Sequence, residues 1–296
     1  MDRYEYAQSI IEDLNDVTES RKLDFIRRKV RQIEDHRYRN DIETALLNYC
    51  ETGNLGNISR PKMICMTLHG IRTHGEWQYK LKHLLENKYK NIDVKCLTFG
   101  FKDVITFILP LFGKATAIRY IKKQLNDILP QHEHHIKVIV AHSFGTYIIA
   151  KIISKNPTFN FDRVIFCGSV VNERFPWEDL NNFPKDGFVN ECGTKDIWPI
   201  LAKAGNIYYG DAGASGFTSH LIKDRFHECG HGGFFTNEFM EKFWLPFIVD
   251  SHVISSKWDV NRPPKKLIFS WITLIRGSLF YLLIFIALVI TAKYFL

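Results

Sequence analysis

The sequence predicts an α/β fold, a mostly parallel sheet with helices on both faces. An N-terminal helical segment precedes it and a C-terminal transmembrane helix follows. Three observations predict this. From residue 62 onward, short β-branched apolar runs alternate with helix-like stretches, the rhythm of strands joined by crossover helices. One of those runs, Ile136–Ala141, passes directly into His142-Ser143-Phe144-Gly145 and another helical stretch. The last thirty residues are almost wholly apolar and carry one internal charge before Lys293, at Arg276.

The elements follow in order. Ile10, Ile11, Leu14 and Val17 fall on one helical face. Leu23, Ile26, Val30 and Ile33 repeat the spacing, as do Ile42, Ala45, Leu46 and Tyr49. Residues 1–51 therefore read as two or three amphipathic helices that either pack on their own chain or dock a protein partner. Gly53, Gly56 and Pro61 mark a linker, so the first segment is 1–60. Residues 61–256 form the α/β domain. Met63–Leu68, Ile92–Phe99, Ile136–Ala141, Arg163–Val171 and Phe188–Cys192 read as strands, and Asn206–Tyr209 as a weaker one. Near-continuous apolar runs of this kind suit strands buried on both faces. Gly75–Tyr89, Thr116–Leu129, Thr146–Ser154 and Asn237–Phe247 read as helices. Phe101–Phe112 is very apolar and is either a lid or core.

The third segment is 257–296. Gly277–Ala292 holds 16 residues without a charge. Extended to Leu296, a helix there reaches about 30 Å, enough to span a bilayer. Lys257, Arg262, Lys265, Lys266 and Arg276 all lie on its N-terminal side, which keeps the main domain cytoplasmic.

Composition narrows the function. The chain has 296 residues and a formal net charge of +7. Residues 1–60 are net negative, and the density of basic residues is highest beside the apolar tail. That placement favours a membrane surface over nucleic acid. Six cysteines occur without a CxxC spacing. Cys65, Cys96, Cys167 and Cys192 sit inside strand-like runs, where a thiol behaves as a small hydrophobe. Reduced thiols and a cytosolic domain follow. His132, His134 and His135 cluster, but Glu133 is their only acidic neighbour, and a solvated loop is expected in place of a metal site. Asp211–Gly216 is Gly-rich yet lacks a phosphate-loop spacing, so it reads as a loop.

The strongest chemical signal is Ala141-His142-Ser143-Phe144-Gly145. A nucleophile held on a sharp strand-to-helix turn needs small neighbours, and Ala141 and Gly145 supply them. Such a turn lifts the Ser143 hydroxyl from the sheet edge. It also leaves the Phe144 N–H at a helix N-terminus, suited to an oxyanion. His142 either lines the pocket or packs beneath the turn. Serine is a poor nucleophile until a histidine takes its proton, and the histidine needs a carboxylate to hold its tautomer.

These residues give 62–248 a resemblance to the α/β-hydrolase superfamily of serine esterases and lipases. Ala replaces the first Gly of its GxSxG elbow. The resemblance implies an oxyanion loop at His69-Gly70, with Gly70 beside the substrate and the Ile71 amide as second donor. It implies the chain order serine, acid, histidine. Gly193-Thr194-Lys195-Asp196 resembles the superfamily's acid turn, making Asp196 the acid, with Glu191 and Asp211 as rivals. His231, in a Gly-rich loop before the final helix, stands where the superfamily carries its catalytic histidine, with His227 and His220 as rivals. His69–Trp77 also resembles hydrolases of bacterial antiphage systems.

The expectation is a membrane-anchored serine hydrolase. It cleaves an ester or thioester of a membrane lipid or acylated substrate, without metal or cofactor. The alternative is a noncatalytic hydrolase-like scaffold or membrane effector whose N-terminal helices bind a partner.

Overall fold

The computed structural model describes residues 3–33, 36–53, 62–70, 75–98, 113–258 and 282. They fall into two compact units, Met1–Lys62 and Met63–Leu296.

In the first unit, helices α1 (Arg3–Leu14), α2 (Glu19–Val30) and α3 (His36–Thr52) bury a core of their own. Ile10, Leu14, Ile26, Val30, Ile42 and Leu46 fill it, so most of the apolar positions at helical spacing meet one another. Val17 and Leu23 lie outside that core, Leu23 43% exposed. Glu19 opens α2 and Arg27, Arg28 and Lys29 close it, an arrangement that complements the helix dipole.

In the second unit, six parallel strands form one sheet. They are β1 (Met63–Leu68), β2 (Ile92–Leu97), β3 (Ile136–His142), β4 (Arg163–Cys167), β5 (Phe188–Gly193) and β6 (Lys223–His227). Their spatial order is β2-β1-β3-β4-β5-β6. The result is a parallel α/β sheet with helices on both faces. Helices Gly113–Ile128 and Phe144–Lys155 cover one face, over Ile64, Met66, Ile139 and Phe166. Helix Glu76–Lys88 and the final helical stretch from Asn237 to Asp250 cover the other, over Cys65, Val138, Val140 and Val189. Alternate residues of each strand feed the two layers, so a central strand must be apolar throughout.

The final helix widens into a π-turn at Met240–Trp244 before Pro246. Proline lacks the N–H that a regular helix needs there, and a wider turn accommodates it.

The strand order positions the site. β1 runs outward to β2, and the chain then returns to place β3 on the opposite side of β1. The carboxyl ends of β1 and β3 thus flank the point where the winding reverses, the usual crevice for ligands in open parallel sheets. Leu68 pairs with Ala141, so Gly70 and Ser143 leave the sheet side by side.

Two expectations need correction. Asn206–Tyr209 is not a strand but a turn closing helix Trp198–Gly205, with the Tyr208 N–H donating to Asn206 Oδ1 at 3.0 Å. The sixth strand is Lys223–His227, whose charged residues disguise it. Inside the fold Arg225 pairs with Glu191, and Asp224 accepts from Asn190 at 2.8 Å. Asp211–Gly216 also differs from a plain loop. Ala212–Ser215 forms one helical turn, and Asp211 binds Lys203 at 2.9 Å and Ser215 at 2.8 Å.

The 101–112 lid-or-core stretch lies outside the described residues. So does the 257–296 anchor, apart from residues 257, 258 and 282. Among the described residues no helix is long and apolar enough to cross a membrane.

Candidate active site

Five loops, those after β1, β3, β4, β5 and β6, converge at the carboxyl edge of the sheet. Ser143 sits between β3 and helix Phe144–Lys155 with φ 54° and ψ −123°. A non-glycine residue there is strained, and such strain persists only where the surroundings enforce it. Here the Ser143 N–H donates to the Cys167 carbonyl at 3.0 Å. The Ser143 carbonyl accepts from the Thr146 hydroxyl at 2.6 Å and from its N–H at 3.0 Å. Both sides of the turn are therefore tied, and Ser143 is 9% exposed. Phe144 is the first helical residue, where backbone N–H groups have no intrahelical acceptor. Its ring is buried against Tyr147 and Tyr209.

Asp196 follows β5 and is 1% exposed. Its Oδ2 lies 2.7 Å from His231 Nδ1, and its Oδ1 accepts the Trp198 N–H at 3.0 Å. A carboxylate only accepts, so His231 Nδ1 carries the hydrogen and Nε2 keeps its lone pair. That is the tautomer a general base requires.

His231 is tied through His142 to the strand that leads into Ser143. The two rings lie 4.4 Å apart, and His142 Nε2 donates to the His231 carbonyl at 3.1 Å. His142 is fully buried between Trp77, Phe235 and His231. Burial, with His231 and His69 nearby, pushes its pKa well below the usual histidine value. His142 therefore stays neutral and packs beneath the turn. Its Nδ1 is buried without a hydrogen-bond partner among the described residues.

Gly70 borders the same space. A Cβ there would meet Ser143 Cβ at 2.6 Å and Ser143 Oγ at 3.1 Å. Ile71, the expected second oxyanion donor, lies outside the described residues.

The rivals are engaged elsewhere. Glu191 is fully buried, and its carboxylate accepts from Arg225, from His227 Nε2 at 2.8 Å and from Trp244 Nε1 at 3.1 Å. Burial would raise this carboxyl, but Arg225 and His227 outweigh it and hold the group below the usual glutamate range. Asp211 is bound by Lys203 and Ser215. The His220 side chain is 83% exposed, 3.9 Å from Glu178. Nor do nearby cysteines offer a thiolate. Burial and the acidic neighbours raise the thiols of Cys167 and Cys229, the latter to about 12. Among the described residues no cluster of three His, Cys, Asp or Glu side chains suits a metal ion.

Sequence reasoning missed Gly168. It follows β4 with φ 55°, and a Cβ there would stand 2.9 Å from His231 Nδ1 and 3.1 Å from Asp196 Oδ2. It adjoins Cys167, whose carbonyl holds Ser143. One backbone corner thus touches the strained serine on one side and the His–Asp pair on the other. Gly168→Ala is expected to part that pair and lower kcat about 100-fold, the usual cost of roughly 1 Å of misplacement. Steady-state kinetics beside circular dichroism of the folded variant check this.

No protein-family model matches the chain, and no curated protein matches it. Among solved structures, it is similar to the esterase PE8, with a TM-score of 0.42 and 14% identity over 61% of this chain and 89% of that one. It is also similar to a predicted CIB-like hydrolase from Thermoplasma acidophilum, with a TM-score of 0.38 and 16% identity over 62% and 85%. The esterase domain of a Rhodothermus marinus protein aligns with a TM-score of 0.35 and 11% identity over 61% and 82%. Scores and identities this low identify neither a family nor a substrate. They lend no support to the resemblance to antiphage hydrolases.

Proposed function

We propose that the chain is a serine hydrolase that cleaves an ester or thioester of a lipid or acylated substrate. The observation that carries this reading is the 2.7 Å Asp196–His231 contact beside a serine held at positive φ. In the reaction, Ser143 Oγ attacks the acyl carbonyl while His231 Nε2 takes the hydroxyl proton. The imidazolium that forms is stabilised by Asp196 through Nδ1–H. The Phe144 amide, with that of Ile71, holds the oxyanion of the tetrahedral intermediate. His231 then returns its proton to the departing alcohol or thiol as the C–O or C–S bond breaks, leaving an acyl-serine. Water, deprotonated by the same Nε2, releases the acid and restores Ser143. Each step uses only groups of this chain, and a neutral His142 beneath His231 adds no competing positive charge.

The lipid or acylated substrate follows from the tail. Residues 257–296 are basic and then apolar, so we propose that they hold the domain at the cytoplasmic face of a membrane. Tethering there raises the local concentration of bilayer substrates. The apolar faces of the N-terminal helices meet one another, as the alternative of packing on their own chain expects.

The test is intact mass after exposure to a fluorophosphonate in mild detergent, with Ser143→Ala alongside. One adduct is expected on the wild-type protein and none on the variant. An unlabelled but well-folded wild type would replace this reading with that of a noncatalytic scaffold.

A further inference from the structure

A second cluster lies beside the serine and plays no part in the chemistry above. Tyr147 follows Ser143 by four residues on the same helix, and Lys151 follows Tyr147 by four. At about 1.5 Å per residue they stand roughly 6 and 12 Å along the axis from the nucleophile. Lys114 comes from the neighbouring helix Gly113–Ile128. Its Nζ lies 4.4 Å from the ring centre of Tyr209, 4.6 Å from Tyr208 and 6.0 Å from Tyr147. Lys151 Nζ lies 5.6 Å from the rings of both Tyr147 and Phe175. Tyr209 packs on Tyr147 at 5.0 Å and on Phe144 at 6.2 Å, so the aromatic wall is continuous with the turn that carries Ser143.

Among the described residues neither Lys114 nor Lys151 makes an ion pair, and Lys114 Nζ is buried without a hydrogen-bond partner. In the loops that supply the wall, Glu173 and Asp211 both pair with Lys203, at 2.7 and 2.9 Å, while Glu173 Oε2 makes no hydrogen bond among the described residues. Aromatic faces attract a cation without using its N–H donors, so those donors remain available. Two like charges brought together and partly desolvated are unfavourable. Burial and Lys151 accordingly pull Lys114 down to about 8, and burial and Lys155 lower Lys151. An arriving anion would relieve both penalties. Tyr208, 57% exposed, is the outer wall beside Lys114.

We propose that Lys114 and Lys151, walled by Tyr147, Tyr208 and Tyr209, bind the phosphate group of the ester or thioester that Ser143 attacks. The inference rests on the hydrolase reading and narrows it to phosphate-bearing acyl compounds, whether lipid or soluble. A phosphate fits better than a lone carboxylate because both ammonium groups border the Tyr147 ring, at 6.0 and 5.6 Å, and a phosphate has oxygens enough for both.

Matched substrates test it on the full chain. The soluble pair is octanoyl-coenzyme A against octanoyl-N-acetylcysteamine. The bilayer pair is a lysophosphatidate against the monoacylglycerol of the same acyl chain, in phosphatidylcholine vesicles. The phosphate-bearing member of at least one pair is expected to show a KM about tenfold lower. That preference should fall about tenfold in the double variant Lys114→Met, Lys151→Met, and should shrink as salt shortens the screening length. Should the double variant fold poorly, Lys151→Gln alone is expected to lower the preference about threefold. The pair that responds distinguishes a lipid from a soluble source. Turnover of neutral members with no phosphate preference in either pair would overturn the inference and leave the hydrolase reading intact. If no member is turned over, the hydrolase reading falls, and titration calorimetry with pyrophosphate decides the subsite, absence of binding overturning it.

Discussion

Asp196→Asn is expected to lower kcat on the order of 10⁴-fold while the protein stays folded. The amide is nearly isosteric with the carboxylate, so the contact to the Trp198 N–H survives. What changes is the partner of His231 Nδ1. An amide can present its NH₂ to the ring, which favours the tautomer with hydrogen on Nε2 and removes the base. It also withdraws the negative charge that stabilises the imidazolium. Burial adds to the effect, because Asp196 is only 1% exposed and water cannot substitute for it. Steady-state kinetics on a soluble ester, with thermal unfolding as the control, check the expectation. A loss of less than tenfold would leave Asp196 without the orienting role.

Glu191→Ala is expected to destabilise the fold by about 3–5 kcal/mol, or roughly 10 °C in melting temperature. The reason is Arg225, fully buried beside it. Arg225 Nε donates to Glu191 Oε2 at 3.1 Å, and its other nitrogens reach the carbonyls of Phe243 and Ile254. Removing the carboxylate leaves a buried guanidinium with carbonyl partners but no counter-charge. His227 and Trp244 lose an acceptor at the same time.

The same network has a pH signature. The Glu191 carboxyl is held below its usual value in the folded protein, so the unfolded chain takes up its proton first as pH falls. The ion pair therefore contributes stability that is fully present above the ordinary glutamate range, about pH 4.3, and is lost below it. Glu191→Gln should flatten that part of the stability curve. Thermal melts between pH 3 and pH 7 measure it. Fluorophosphonate labelling of Ser143 should persist in folded Glu191→Gln, which separates a structural carboxylate from a catalytic one.

The elbow was legible because its signal is local. A β-branched run, a small residue on each side of Ser143 and an immediate helix are all read within about fifteen residues. The choice between carboxylates was not local. Glu191 and Asp196 lie five residues apart around the end of one strand, and His227 and His231 four apart around the end of the next. The β5–β6 register decides which meets which. Glu191 pairs with Arg225, which sets Glu191 against His227 inside the sheet and leaves Asp196 and His231 to meet above it. The sixth strand was hidden for a related reason. Its charges look solvated until their partners are found on β5 and the final helix.

The sequence by itself determined the alternation of strands and helices, the position of Ser143 at a strand end and the separate helical segment before residue 62. Each depends on periodicity or on adjacent residues, and those survive without knowledge of distant partners. Only the tertiary structure decided the pairing of Asp196 with His231, the role of Gly168 as the corner between that pair and Ser143, and the approach of Lys114 to three tyrosines and of Lys151 to Tyr147. These join segments that lie tens of residues apart. Sheet order and register bring them together, and no local pattern records which buried charge will find its counter-charge.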